Sequence, residues 1–177
     1  FLKYENPSTP EQKDFVLKSL NTPDFSVLEG PPGSGKTTAI TELIFQLLKD
    51  GKRVLMTSST HVAVDNVLEK LVEFKKKPEN RDINIVPLRI GREERISEQI
   101  TEFGFEYRKK KMEEHFRQLN AFDNLDYEDQ DKLLTEIVCH TSNLICGTSL
   151  GILQYPPIKE QRGMPIKPEF DYLIIDE

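Results

Sequence analysis

The sequence predicts an α/β fold in which helices cover a parallel β-sheet. Short apolar segments with strand character, at 25–29 and 53–59, alternate with segments of helical periodicity. Two further apolar segments, at 143–149 and 171–176, have the composition of buried parallel strands. Because parallel neighbours must be joined by crossover connections, strands that alternate with helices favour a parallel sheet between helical layers.

The elements of the first 77 residues follow in regular order. The segment "PEQKDFVLKSL" (10–20) predicts a short helix with Thr9 as N-cap and Pro10 in the first helical position. "FSVLE" (25–29) predicts a strand that is apolar enough to be central in the sheet. The helix that follows has apolar residues at helical spacing: Ile40, Leu43, Ile44, Leu47 and Leu48. After the next strand, a second helix has an apolar face of Val64, Val67, Leu68, Leu71 and Val72.

The charged middle of the chain is predicted to be an insertion. Residues 78–140 are mostly helical in pattern, although 83–91 is strand-like. The sequence therefore predicts one α/β domain formed by 1–77 and 141–177 and interrupted by this insertion. A proline-rich surface loop is expected at 154–170.

Composition restricts the classes of function. The 177 residues carry a net charge of −6, which argues against a generally basic coat protein for nucleic acid but allows a local basic groove. No apolar run approaches the ~20 residues that span a bilayer. The N-terminal segment also lacks the pattern of a secretory signal. We therefore expect a protein of the cytoplasm, or of the nucleus in a eukaryote, with no membrane partner.

The two cysteines do not predict a metal site. Cys139 and Cys146 lie near His140, but their spacing matches no zinc pattern. Two buried thiols in a reducing compartment are the expectation.

A glycine-rich loop predicts a phosphate site. In "VLEGPPGSGKTTAI" (27–40), Gly30, Gly35, Lys36 and Thr37 satisfy the pattern G-x-x-x-x-G-K-[ST] between a predicted strand and a predicted helix. Glycines allow the backbone N–H groups to point at phosphate oxygens, and the helix N-terminus adds a positive field. Lys36 is expected to reach the β- and γ-phosphates, and the Thr37 hydroxyl to bind Mg²⁺. The alternative is a plain glycine-rich turn, which this context disfavours.

The last predicted strand ends in two carboxylates. "FDYLIIDE" places Asp176 and Glu177 at the carboxyl end of a strand, where ligands bind in parallel sheets. Asp176 is expected to hold Mg²⁺, directly or through water, and Glu177 to act as the base for an attacking water. Together with the phosphate loop, they indicate a nucleoside triphosphatase. A solvent-facing acidic strand end is the alternative.

Other polar residues follow strand ends or precede the loop. Gln12 lies upstream of the loop, where its amide could read an adenine edge. "TSSTH" (57–61) and Thr148-Ser149 place hydroxyls at the ends of two strands. Hydroxyls and helix N-termini in such positions bind a phosphodiester backbone without reading its sequence.

Five segments together carry a family resemblance. "TPEQ", "GPPGSGKTT", "TSSTHVAVDN", "CGTSLG" and "DYLIIDE" occur in this order. The set resembles the first RecA-like domain of superfamily 1 helicases, in the branch that includes senataxin and the RNA helicase of nonsense-mediated decay. The predicted insertion falls where those helicases carry their 1B domain and stalk helices.

The resemblance implies a role for each matching residue. It implies an adenine contact for Gln12, and it implies Lys36, Asp176 and Glu177 as catalytic residues that act on ATP with Mg²⁺. The phosphate loop is implied to bind the nucleotide through Gly30, Pro32, Gly33, Ser34, Gly35, Lys36, Thr37 and Thr38. Contacts with a single strand are implied for Ser59, Thr60, His61, Val64 and Thr148. His61 stands where relatives often have Asn, so a plain surface histidine is an equal alternative.

The resemblance implies an ATP-driven helicase or translocase on single-stranded DNA or RNA. A second RecA-like domain, missing from this chain, would complete the ATP site, so the isolated chain is expected to be nearly inactive. An ATP-gated nucleic-acid clamp without unwinding activity is the alternative. A nucleotide kinase or a small GTPase is disfavoured by Glu177 and by the absent Asn-Lys-x-Asp signature. The basic runs at 75–77 and 108–111 could guide a strand, although solvated helix faces are favoured.

Overall fold

The sheet confirms the predicted α/β class. The computed structural model describes residues 9–122, 125–160 and 169–176. Four parallel strands pair in the order β2-β3-β1-β4. Their bounds are β1 Val54–Ser58, β2 Pro87–Ile90, β3 Leu144–Thr148 and β4 Tyr172–Asp176.

Helices connect the strands and cover both faces of the sheet. They are α1 Thr9–Asn21, α2 Lys36–Lys49, α3 His61–Lys75, α4 Phe105–Gln118, α5 Tyr127–Thr141, α6 Ser149–Ile152 and α7 Pro156–Glu160. Short 3₁₀ turns occur at Pro78–Asn80, Glu93–Arg95 and Glu98–Phe103. In the described part of the chain, no helix is long and apolar enough to cross a membrane.

The core has two apolar clusters, one on each face of the sheet. Met56 and Cys146 face α2 and α3, whereas Leu55 and Ile145 face the other cluster, which includes Val138 of α5. This alternation follows from the two-residue period of a strand. Both cysteines are buried, as expected, and neither forms a disulfide.

The predicted strand at 25–29 is wrong. The segment is not a strand, and its apolar side chains Phe25 and Val27 are 81% and 76% exposed. It lies across a groove from β4 instead of pairing with it. An apolar run becomes a strand only where a neighbouring backbone accepts and donates its ladder hydrogen bonds, and this segment has no such neighbour among the described residues.

β4 also differs from the buried strand that was predicted. Leu173 and Ile175 are 59% and 69% exposed, whereas Ile174 packs into the core. β4 pairs with β1 on one side only, so it forms an edge of the described sheet.

The range predicted as an insertion contributes a strand to the sheet. β2 lies within 78–140 and pairs with β3 from Pro87 to Ile90. The first α-helix of that range, α4, therefore begins only after β2, and the division into an α/β domain and an insertion stays a prediction. Within the predicted loop at 154–170, α7 occupies Pro156–Glu160, and residues 161–168 lie outside the described part of the chain.

Candidate nucleotide site and nucleic-acid surface

The phosphate loop turns through two left-handed glycines. Gly33 has φ 80° and Gly35 has φ 83°, a region that residues with a Cβ rarely adopt. A Cβ on Gly33 would meet no atom within 4 Å, so backbone conformation, not space, demands glycine there. Gly35 also forms the N-cap of α2, so the loop leads its N–H groups directly into the helix N-terminus.

Lys36 folds back over the loop. Its Nζ donates to the carbonyl oxygen of Gly30 at 2.6 Å and lies 3.4 Å from that of Pro31. A phosphate oxygen would replace these carbonyls as the acceptor for the ammonium group. Ser34, Thr37 and Thr38, also predicted to bind the nucleotide, are half-buried beside it, whereas Pro32 is exposed.

α1 braces the loop from behind. The Gln12 side chain is buried, and its Nε2 donates to the carbonyl oxygen of Ser34 at 2.9 Å. A Cβ on Gly35 would collide with this same Nε2 atom. The adenine contact of Gln12 stays a prediction, since here its amide nitrogen is used to hold the loop.

The end of β4 lies beside the loop. Asp176 and Lys36 line one groove of about 720 Å³ between β4, α2 and residues 22–28. Glu177 lies outside the described residues. Among the described residues, no group of three or more histidine, cysteine or carboxylate side chains could hold a metal ion. Thr37 and Asp176 stay the predicted ligands of Mg²⁺, an ion that commonly combines one or two carboxylates with substrate phosphates.

The predicted nucleic-acid contacts lie at the carboxyl ends of β1 and β3. Ser59 and Thr60 are exposed, and Thr60 Oγ1 caps α3 by accepting from the N–H of Ala63 at 3.2 Å. Thr148 Oγ1 caps α6 in the same way, accepting from the N–H of Gly151 at 3.1 Å. Because β1 and β3 are neighbours, the structure brings both segments to one edge of the sheet.

Val64, predicted as a contact residue, lies in the core, and its contact with a strand stays a prediction. Its side chain is 0% exposed and belongs to the core between α3 and the sheet. The helical period that makes position 64 part of the apolar face of α3 also turns it away from any strand at the surface.

A second cavity of about 750 Å³ opens at this edge. It is lined by His61 and Thr148 together with two arginines, Arg92 and Arg95, and with Phe105. The pKa of His61 is lowered, first by partial burial and then by the charge of Arg89, while Asp65 opposes the shift. The lowered pKa favours the neutral form of the ring.

Sequence reasoning missed three arginines here. Arg92 and Arg95 line the cavity, and Arg89 is buried behind it. The signal was "RIGREER" (89–95), a basic cluster at the end of a strand-like segment. Within the basic runs at 75–77 and 108–111, Lys75 donates to the carbonyl oxygen of Ile85, and Lys109 pairs with Asp131.

Comparisons with known proteins identify the family. A family model described as "AAA domain" matches residues 8–133. The chain is 31% identical over 166 residues, 94% of its length, to the DNA replication ATP-dependent helicase/nuclease DNA2 of Saccharomyces cerevisiae. It is 39% identical over 77 residues, 44% of its length, to the DNA-binding protein SMUBP-2 of Mesocricetus auratus. It is 38% identical over 105 residues, 59% of its length, to the uncharacterized ATP-dependent helicase MJ0104 of Methanocaldococcus jannaschii.

The chain spans only a small part of these relatives, since the matches cover 9%, 8% and 15% of their lengths respectively. Within that part, the matched relatives, the parallel sheet and the phosphate loop agree with one another. The chain therefore belongs to this AAA domain family, and it carries a RecA-like domain of the superfamily 1 helicase type.

Proposed function

We propose that this domain couples ATP hydrolysis to movement along single-stranded nucleic acid. The observation that carries the proposal is the register between β1 and β4, in which Ser58 pairs with Asp176. Ser58 immediately precedes the segment Ser59–His61, and neighbouring strands lie only about 4.8 Å apart. Movement of Asp176 at the end of β4 would therefore be transmitted to the segment that is proposed to hold the strand. The backbone hydrogen bonds between β4 and β1 would transmit it.

The proposed roles follow from the chemistry of the residues. ATP with Mg²⁺ supplies the transferable phosphoryl group when bound. Lys36 neutralises charge on the phosphates, and the loop N–H groups orient them. The Thr37 hydroxyl and the Asp176 carboxylate are the oxygen ligands offered to the metal. Glu177 takes the proton of the attacking water.

The proposed movement needs a partner outside this chain. A second RecA-like domain would close over the nucleotide and supply arginines to the transferring phosphate, a contribution worth about 10³–10⁵ in rate where it has been measured. Opening and closing of two such lobes would then move the strand held at Ser59, Thr60, His61 and Thr148. The names of the relatives support ATP-driven movement, since two of them are called ATP-dependent helicases.

The alternative is an ATP-gated clamp that holds or remodels nucleic acid without separating strands. The DNA-binding protein among the relatives supports it equally well. The two proposals differ in strand displacement, because only the translocase releases a labelled strand from a tailed duplex in proportion to the ATP consumed.

The first experiment is ATP turnover by the intact gene product, with and without single-stranded DNA or RNA. We expect one of the two to stimulate turnover, and Lys36→Ala to lower turnover about 10²–10³-fold, because it removes a preorganised charge from the phosphates. The matched control is Lys49→Ala, an exposed lysine in the last turn of the same helix. Turnover that neither nucleic acid stimulates would contradict the proposal, and so would a loss in the Lys49 variant equal to that in the Lys36 variant.

A further inference from the structure

Arg89 is a fully buried charge on β2. Its side chain is 0% exposed, and each nitrogen of its guanidinium group has a partner. Nε donates to Asp65 Oδ1 at 2.7 Å, Nη1 donates to the carbonyl oxygen of Ile90 at 2.7 Å, and Nη2 lies 3.1 Å from Nδ1 of His61. A buried arginine is tolerated only when its donors are matched in this way.

The contact with Arg89 selects one form of His61. A guanidinium group has only N–H donors, so Nδ1 of His61 must be the acceptor in this pair. The proton of the neutral ring then lies on Nε2, across the ring from Arg89. Protonation of Nδ1 would place two donors face to face, which leaves the neutral Nε2–H tautomer as the form compatible with the contact.

The same network anchors the cavity wall. Asp65 Oδ2 accepts from the N–H of Ser97 at 3.0 Å, and Glu69 Oε1 accepts from Ser97 Oγ at 2.6 Å. The segment 91–96, which carries Arg92 and Arg95 to the cavity, is thus held by Arg89 at one end and by Ser97 at the other.

We propose that Arg89 is a positioning residue that fixes His61 as a neutral Nε2–H donor to one phosphate of a single strand in the cavity beside Arg92 and Arg95. The inference rests on the proposed binding of a single strand at this edge of the sheet. A neutral N–H donor bonds a phosphate oxygen without reading the base. Arg92 and Arg95 supply positive charge beside it, although the carboxylates of Glu93 and Glu106 line the same cavity. His61 then contacts the phosphate backbone of the strand. Its orientation is set by Arg89, which itself touches no nucleic acid.

A double-mutant cycle tests the positioning role. The probes are fluorescein-labelled oligo(dT) and oligo(rU), with binding to the full chain followed by anisotropy. We expect His61→Ala to weaken binding of the preferred probe about tenfold, the loss of one hydrogen bond to a charged group. Arg89→Lys should weaken it by a similar factor in the wild-type background and have no further effect in the His61→Ala background. Effects that multiply in the double variant would overturn the role of Arg89.

A conservative variant gives a second readout. In His61→Gln, the side-chain amide nitrogen replaces the Nε2–H donor without contacting Arg89 through Nδ1. We expect this variant to keep most of the affinity and to be insensitive to Arg89→Lys. An Arg89→Lys effect as large in His61→Gln as in the wild type would show that Arg89 acts through the fold and would overturn the proposal.

The tautomer is measured in the wild-type chain, and a variant is used only to assign the His61 signals. Nitrogen-15 NMR of the histidine rings, with the His61 signals assigned by their loss in His61→Ala, should show a protonated Nε2 and an unprotonated Nδ1 at neutral pH. A proton on Nδ1 would overturn the inference but not the proposed function. Failure of both probes to bind the wild-type chain, by contrast, would overturn the proposed function and the inference that rests on it.

Discussion

Val62 and Val64 occupy the same turn of α3 but meet different surroundings. Val62 is 69% exposed, whereas Val64 is 0% exposed in the core. Val64→Ala should therefore lower the free energy of unfolding by about 2 kcal/mol, because it removes buried methyl groups and leaves a cavity. Urea denaturation measures this change, and anisotropy with a labelled single strand should show unchanged affinity of the folded protein.

Val62→Ala is the matched control for that substitution, and it should leave the free energy of unfolding within about 0.5 kcal/mol of the wild type. If Val64→Ala weakened nucleic-acid binding of the folded protein while its stability stayed unchanged, Val64 would be a contact residue after all.

Burial of the Cys146 thiol makes the stability of the folded protein depend on pH in the alkaline range. Burial raises the pKa of its thiol from 9.0 to about 12. The unfolded chain therefore loses this proton from about pH 9, while the folded chain keeps it until about pH 12. Between these values the unfolded state binds fewer protons, so the thiol's contribution to stability is complete below pH 9 and falls as the pH rises, by at most about 1.4 kcal/mol per pH unit.

The measurement is urea denaturation of the wild type and of Cys146→Ala across the same pH range. The difference in free energy of unfolding between the two proteins should be constant below pH 9. Above pH 9 the wild type should lose stability relative to Cys146→Ala. A difference that stays constant up to pH 11 would show that the thiol titrates alike in both states.

At the level of elements, α1 and the phosphate loop act as one unit. Gly35→Ala should destabilise the protein for two separate reasons: its φ of 83° lies in the left-handed region, and the new methyl group would displace the Gln12 amide. We expect a loss clearly above the ~1 kcal/mol of left-handed strain alone. Thermal denaturation measures the loss, and titration with ADP and Mg²⁺ should show weaker nucleotide binding.

Gly51→Ala separates the two causes. Gly51 has φ 72°, but a Cβ there would meet no atom within 4 Å, so this variant carries the backbone strain without the collision. Combining Gly35→Ala with Gln12→Ala should recover part of the excess loss, since the obstructing amide is gone. Equal losses in Gly35→Ala and Gly51→Ala would show that α1 does not press on the loop.

The sequence predicts those elements that depend on residues close together in the chain. The apolar periods of α2 and α3, and the glycine pattern of the phosphate loop, were enough to place them because helix faces and tight turns depend on nearby residues. The strand at 25–29 was mispredicted because a strand depends on a partner that is distant in sequence. Arg89 was missed for a similar reason: its partners Asp65 and His61 are 24 and 28 residues away.

At the scale of the whole molecule, the described sheet has an open side. β4 pairs with β1 along one edge, and along the other it faces the groove whose far wall includes Phe25 and Val27. The two candidate sites lie at the carboxyl edge of this same sheet, with the phosphate loop near β4 and the arginine-lined cavity near β2 and β3. The nucleotide is thus proposed to bind beside the least covered strand of the sheet.

An open edge with exposed apolar residues is a site for association with another chain. Leu173 and Ile175 are 59% and 69% exposed on β4, so we expect the 177-residue chain to self-associate as its concentration rises. Replacing both by lysine should keep it monomeric, because like charges would have to be desolvated and brought together in any edge-to-edge pair. Sedimentation velocity over a concentration series measures this difference.

The control for this last prediction changes equally exposed leucines away from the edge. Leu17 of α1 and Leu119 beyond α4 are 60% and 61% exposed, so Leu17→Lys with Leu119→Lys adds the same charge and removes a similar apolar area. This control should associate as the wild type does. If it were monomeric as well, net charge would be the cause. If the wild type never associated, the groove beside β4 would be too well screened by residues 22–28 to act as an open edge.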